Sequence, residues 1–252
     1  MNLYFGNWCF SPRLITSFLT IILCGFFSFL GCWQLDRAEQ KRTLYVEFEN
    51  RQTGNVIDLN QADTLSLGSE NLLWRPVTAN GSFLEGFQVI LDNQIQNTKA
   101  GYYVYTPFQL DNSDHVVLVN RGWLAAGPDR KIGPQLIMSK GMVEIKAVIK
   151  EIPKTGLLLK ELPPEEMSED VYRVQRIDLD EIADLTNTKL LPFVLRLSPE
   201  SEHGYHRLWR QPGSGENVHN GYAFQWFAFA TVLFIIYLLL NIKRRDESGK
   251  NI

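Results

Sequence analysis

The sequence predicts a membrane α-hairpin of two transmembrane helices that carries a β-rich α+β domain, folded as an antiparallel barrel or strongly curved sheet. Three observations predict it. Residues 14–35 and residues 221–242 are runs of 22 residues without Asp, Glu, Lys, Arg or His. Between them, from about Trp74, the pattern changes to two-residue alternation rich in β-branched and aromatic side chains. Short connections such as "LEG" and "DNSD" carry the residues of tight hairpin turns.

The first run lies between Arg13 and Asp36, and at about 1.5 Å per residue it covers roughly 33 Å, enough for a bilayer core. The second ends in Lys243-Arg244-Arg245, a basic stop of the kind that stays cytoplasmic. Two spans put both termini on one side. The expected organisation is a cytoplasmic tail over 1–13, spans over 14–35 and 221–242, a periplasmic domain over 36–220, and a cytoplasmic tail over 243–252. The first run is longer than a signal-peptide core, about 7–15 residues, and Leu30 is too bulky for the small-residue cleavage pattern. The segment before it is too short and too poor in Arg for a mitochondrial transit peptide, so a bacterial inner membrane is the simplest fit.

After the first span, residues 36–52 contain neither Gly nor Pro and favour helix, so the span continues as a stalk until Gly54. A polar loop through Gly68 follows. Strands are predicted over 74–83, 87–95, 101–110, 115–123, 142–150, 171–177 and 192–198, giving a β-rich core over 74–198. Between the last two, "DLDEIADLTNT" combines an Asp start with apolar Leu179, Ile182, Ala183 and Leu185, which predicts one amphipathic helix. "PKTGLLLKELPPEEMSED", residues 153–170, reads as a long loop.

Several function classes lack their chemistry. Cys9, Cys24 and Cys32 lie in or beside the first span, so the domain has no thiol and no disulfide. No G-x-S-x-G elbow, G-x-G-x-x-G, P-loop or C-x-x-C is present, and no catalytic dyad of an anchored hydrolase is found. A formal net charge of -3 without a basic stretch outside the membrane flanks argues against nucleic acid. The acidic run "LPPEEMSED" reads as solvated, and His203 and His206 as loop histidines without a ligand set at zinc-like spacing.

His219 differs by position. At helical spacing His219, Tyr222, Trp226 and Phe229 share a face at the start of the second span; Phe26, Trp33, Arg37 and Lys41 align near the outer end of the first, with Gln34 beside them. Such a set suits a flat amphipathic ligand: rings for a porphyrin face, imidazole for its iron, Arg37 and Lys41 for its carboxylates. The plain alternative is an aromatic belt with flanking cations, which anchors any span at the headgroups. In the domain, Asn120 and Gly122 of "VNRG" both tolerate positive φ, which predicts a tight turn and a structural place for Arg121; Gly81 and Gly101 read as turn or close-packing residues.

Five blocks in order, "LGCWQLDRAEQK" (30–41), "RPVTANGSF" (75–83), "GYYVYTPF" (101–108), "VLVNRGW" (117–123) and "HNGYAFQWFAFA" (219–230), resemble the surfeit locus protein 1 family, the Shy-type cytochrome c oxidase assembly factors. Residues 131–217 match it only in general strand pattern. The resemblance implies a non-enzymatic, two-span inner-membrane protein with its domain outside the cytoplasm. It implies a role in maturing oxidase subunit one, with haem a synthase as a second candidate partner. It also implies haem a bound through a histidine that His219 matches, with Tyr222 and Trp226 matching the aromatic positions after it and Trp33, Gln34 and Arg37 the first-span motif. On this reading His219 offers the iron an axial ligand, with the haem held between the spans. The competing expectation is a haem-free scaffold that holds subunit one. A gap between the helices goes with haem delivery, and a tightly packed contact with the scaffold.

Overall fold

The computed structural model describes residues 3–5, 8–61, 69–154, 162–213 and 215–244. The chain divides into two compact units, one formed by the segments up to Glu47 and from Arg210, the other by Phe48–Trp209.

The first unit is a helical hairpin. Helix α1 runs over Leu14–Gln52 without interruption, so apolar span and polar stalk form one rod, which ends ahead of Gly54 as the composition predicts. Helix α4, Glu216–Asn241, begins five residues upstream of the charge-free run. Both are long and apolar enough to cross a membrane. They run antiparallel, with contacts along their length that include Ser17 Oγ and Tyr237 Oη at 2.6 Å, Cys24 Sγ and the Ala230 carbonyl at 3.5 Å, stacked Phe27 and Trp226 at 5.9 Å, and Gln34 Oε1 and His219 Nδ1 at 2.8 Å.

The contact face of α1 therefore steps in threes and fours through Ser17, Thr20, Cys24, Phe27, Gly31, Gln34 and Ala38, the spacing of a two-helix seam. Most of these residues are small, which lets helices approach closely where no hydrophobic drive separates lipid from side chain. At Gly31 the approach is limiting, since a Cβ there would lie 2.6 Å from Cζ of Phe227. Ala38 and Ala223 are buried in the same seam.

At the hairpin's open end, strands β1 (Leu3–Phe5), β2 (Trp8–Phe10) and β12 (Ile242–Arg244) form a small antiparallel sheet in the order β1-β2-β12. It joins the beginning of the chain to the residues just after α4 and buries Cys9 completely. The backbone N–H of Ser11 donates to the Asn241 carbonyl at 2.9 Å, and Phe10 packs edge-on against Tyr237. These three-residue strands are too short for alternation to announce them. Residues 245–252 of the expected tail lie outside the described residues.

The second unit is the β-rich domain. Its strands are β3 (Ile57–Asp58), β4 (Pro76–Phe83), β5 (Gln88–Gln96), β6 (Lys99–Leu110), β7 (His115–Ala125), β8 (Val143–Lys150), β9 (Glu165–Ser168), β10 (Val171–Val174) and β11 (Lys189–Leu197), with a helical turn α2 (Ser69–Leu72) and helix α3 (Leu179–Thr186). The sheet order is β3-β4-β8-β11-β7-β6-β5-β10-β9, and β4 pairs again with β6. Strands β4, β8, β11, β7 and β6 thus close a five-stranded barrel, which leaves no edge on that ring. Alternate residues fill it: Val77 and Ala79, Phe108 and Leu110, Val117 and Val119, Ile145, Ala147 and Ile149, Phe193, Leu195 and Leu197.

The seven predicted strands all form, within a few residues of their expected limits. Pairing is mixed, because β11 runs parallel to β7, β10 to β5 and β3 to β4. Strand β9 occupies part of the segment read as a loop; residues 155–161 of that segment lie outside the described residues. Helix α3 forms as expected. Asp178 caps it by accepting from the N–H groups of Asp180 and Glu181, Asn187 ends it in the left-handed region, and Ile182 seats it on a second apolar cluster with Tyr105, Leu118 and Val194.

Gly81 and Gly101 are close-packing positions. A Cβ on Gly81 would stand 2.0 Å from the Gln109 carbonyl oxygen, and one on Gly101 2.3 Å from that of Leu124. The tight turn expected at "VNRG" is absent: β7 runs straight through it. The positive-φ tolerance serves a β-bulge instead, for the register with β6 slips between Val104↔Gly122 and Tyr105↔Asn120 and leaves Arg121 unpaired. Gly122 takes φ 121, and its N–H donates to Asn120 Oδ1 at 3.0 Å.

Candidate functional site

The bulge turns Arg121 into the domain, where it is 1% exposed. Its Nε donates to the His203 carbonyl at 2.7 Å, and Nη1 to the Ile137 carbonyl at 2.9 Å and Gln88 Oε1 at 3.3 Å; Nη2 donates to Ser139 Oγ at 3.2 Å. The guanidinium lies over Phe83 and Tyr205, 4.8 and 5.3 Å from their ring centroids. Burial pulls its pKa below the usual guanidinium value. Arg121 therefore ties two loops to the barrel, which is the structural role expected for it. The histidines of the 203–206 loop serve the same end through their backbones: His203 accepts from Arg121, and His206 exchanges two hydrogen bonds with Trp123. Among the described residues no group of three His, Cys, Asp or Glu side chains is placed to hold a metal ion.

The candidate site lies on the hairpin. Gln34 and His219 meet across the seam, and with a carbonyl oxygen facing it Nδ1 of the imidazole donates. In a neutral ring, donation from Nδ1 places the lone pair on Nε2. Metal-ligating histidines are oriented by this kind of bond from the other ring nitrogen to a carbonyl or carboxylate. Two turns along, Trp226 is taken up by packing, stacked on Phe27 and edge-on to Phe229.

Trp33, Arg37 and Tyr222 stand off the seam. Arg37 and Tyr222 each follow a member of the Gln34–His219 pair by three residues, so each is rotated by about 60° in the same sense from its seam partner. In antiparallel helices that shared sense puts both on one flank of the hairpin. Trp33, one residue before Gln34, falls on the same flank. The contact of Phe27 with Phe229, three residues after Trp226, obeys the same geometry one layer deeper. Trp33 is 43% exposed and Tyr222 50%. The guanidinium of Arg37 lies 5.6 Å from the Trp33 ring centroid and donates to Gln40 Oε1 at 2.9 Å.

Trp33, Arg37 and Tyr222 thus share one flank while Gln34, His219 and Trp226 lie in the seam, and the expected slot between the helices is closed. The Gln34–His219 bond and the Gly31–Phe227 approach leave no gap for a porphyrin in the seam. What remains is an open face: an oriented imidazole, two half-exposed aromatic rings and a cation. These residues fit an axial ligand and a ring-stacking surface. Phe27, Gly31, Ala38 and Ala223 were not singled out from sequence, although the three-and-four spacing of small residues was there to find them.

Comparisons with known proteins point one way. A profile of the SURF1 family matches residues 21–231. A SURF1-like protein of Rickettsia bellii is 26% identical over 245 residues, covering 95% of this chain and 92% of that protein. Surfeit locus protein 1 of Mus musculus is 28% identical over 192 residues, 71% of this chain and 50% of that protein. The yeast protein named cytochrome oxidase assembly protein SHY1 is 30% identical over 106 residues, 42% of this chain and 26% of that protein. The chain thus spans the bacterial relative nearly whole, but half of the mouse protein and a quarter of the yeast one. With the profile running from the first membrane helix through the domain into the second, the chain belongs to the SURF1 family.

Proposed function

We propose that this chain is a membrane-bound assembly factor for cytochrome oxidase that holds haem a on the outer flank of its hairpin and hands it to subunit one. The oxidase part rests on the yeast relative's name, and the membrane part on the two apolar helices. The haem part is carried by one observation: Gln34 engages the imidazole of His219 through Nδ1, which leaves Nε2 out of that bond. His219 would supply the axial ligand, Trp33 and Tyr222 ring surfaces, and Arg37 a partner for a carboxylate. Bound there, the group would supply an iron centre in need of a ligand. A single imidazole on an open face holds such a cargo without enclosing it, as transfer requires.

Protein co-expressed with haem a synthesis is expected to purify with a haem absorption spectrum, and His219→Ala to lose most of it. An unchanged spectrum in the variant would remove His219 from the site. The packed seam favours a second reading, a haem-free scaffold whose hairpin braces subunit one. Co-purification of subunit one without pigment, unaffected by His219→Ala, is the outcome that reading requires.

A further inference from the structure

A separate feature lies in the β-rich domain. Lys150 ends β8 on the barrel's outer face, opposite Val194 of β11. Arg196 shares that face two residues along β11, at the diagonal position whose side chains still reach each other. The Lys150 ammonium lies 5.4 Å from the Trp74 ring centroid and 5.9 Å from that of Phe48. Trp74 is held in place by its backbone, at φ 66 with its N–H donating to the Ile149 carbonyl at 2.9 Å. The Arg51 guanidinium lies 5.8 Å from the same Trp74 centroid, so the amine is half buried on an aromatic floor among like charges.

We propose that Lys150 is a nucleophilic amine site that captures an aldehyde carrying an acidic group as a reversible imine. The aromatic floor accepts a flat carbonyl compound, and the charge of Arg196 favours an acidic substituent on it. Burial, and secondarily Arg196, push the Lys150 pKa down to about 8, with Glu151 opposing. A substantial fraction of the side chain is therefore neutral amine at the pH where an ordinary lysine, near 10.4, is almost wholly protonated. The neutral nitrogen's lone pair adds to the carbonyl carbon and forms the C–N bond. The nitrogen gives up its two protons, the carbonyl oxygen takes up two and leaves as water, and the C=N bond results. No electrons are gained or lost, and hydrolysis reverses the capture.

The test uses the full-length protein in detergent at pH 7.5 with equimolar pyridoxal 5′-phosphate, an aldehyde bearing a phosphate. Borohydride then fixes any imine, and peptide mass spectrometry locates it. Labelling at Lys150 is expected to exceed that at exposed Lys99 or Lys140 by at least about tenfold. It should rise with pH through about 8, fall with unphosphorylated pyridoxal, and vanish in Lys150→Arg while the other sites keep theirs. Labelling spread over the lysines by exposure would overturn the proposal. Equal labelling by the two aldehydes would remove the acidic group from it.

Discussion

Gly81→Ala tests the closure of the barrel. A Cβ at this position would lie 2.0 Å from the Gln109 carbonyl oxygen and 2.8 Å from Cε1 of Phe108. Carbon contacts are comfortable near about 3.5 Å, so the strands must part by more than about 1 Å. The obstacle is backbone, which no rotamer change can relieve. Gly81 lies within the β4–β6 pairing, Gly81↔Leu110 through Phe83↔Phe108, which closes the ring. On either side of it the Leu84 N–H donates to the Pro107 carbonyl at 2.9 Å and the Asp111 N–H to the Asn80 carbonyl at 2.8 Å. Losing three or so hydrogen bonds at about 1 kcal/mol each gives about 3 kcal/mol, a large part of a domain's total of about 5–15. Urea unfolding of the full-length protein, followed by tryptophan fluorescence, is the assay. At slopes of about 2 kcal/mol/M, that loss moves the midpoint down by more than about 1 M. Gly127→Ala, whose Cβ would meet nothing closer than 3.9 Å, should leave it in place. A Gly81→Ala midpoint indistinguishable from that control would refute the close-approach argument.

Three further outcomes are expected. Arg121→Met leaves the carbonyls of His203 and Ile137 without their donor, and should destabilise the domain by about 3 kcal/mol in the same assay. Lys150→Met should raise the unfolding midpoint at pH 7. Wild-type stability should rise relative to the variant between pH 8 and 10.5: above about 8 the folded amine is neutral, while the unfolded one, near 10.5, still binds its proton. Gln34→Leu should leave helix packing intact while weakening retained haem by about 10- to 100-fold in absorption titrations, because the imidazole loses its orienting acceptor.

Much of the domain was legible because its long strands alternate. In β8, Ile145, Ala147 and Ile149 face in while Glu144 and Lys146 face out, so local pattern and fold agree. Failures occurred where the deciding interaction is not local. Parallel pairing of β11 with β7 depends on which strand lies alongside, and nothing in "PFVLRLS" encodes it. Four-residue β9 and the three-residue strands at the chain's ends offer too few residues for a period to show. At "VNRG" only Gly122 uses its freedom at positive φ, while Asn120 acts through its side chain, and permissiveness alone does not distinguish a turn from a bulge.

The site was half legible for a related reason. Helical spacing fixes which residues of one helix share a face, and so grouped His219 with Tyr222 and Trp226, and Trp33 with Arg37. It does not fix how two helices are rotated against each other. That rotation is set by the small residues, since Gly31, Ala38 and Ala223 permit close approach along one line only. Once that line becomes the seam, Gln34 and His219 are forced together, and two polar groups at the margin of an apolar pair satisfy each other. The bond closes the space in which a ligand between the spans would lie, and engages only one of the imidazole's two nitrogens. Tight packing and an available ligand atom are therefore not alternatives in this hairpin. Close packing alone does not decide between carrier and scaffold; what separates them is whether His219→Ala removes pigment.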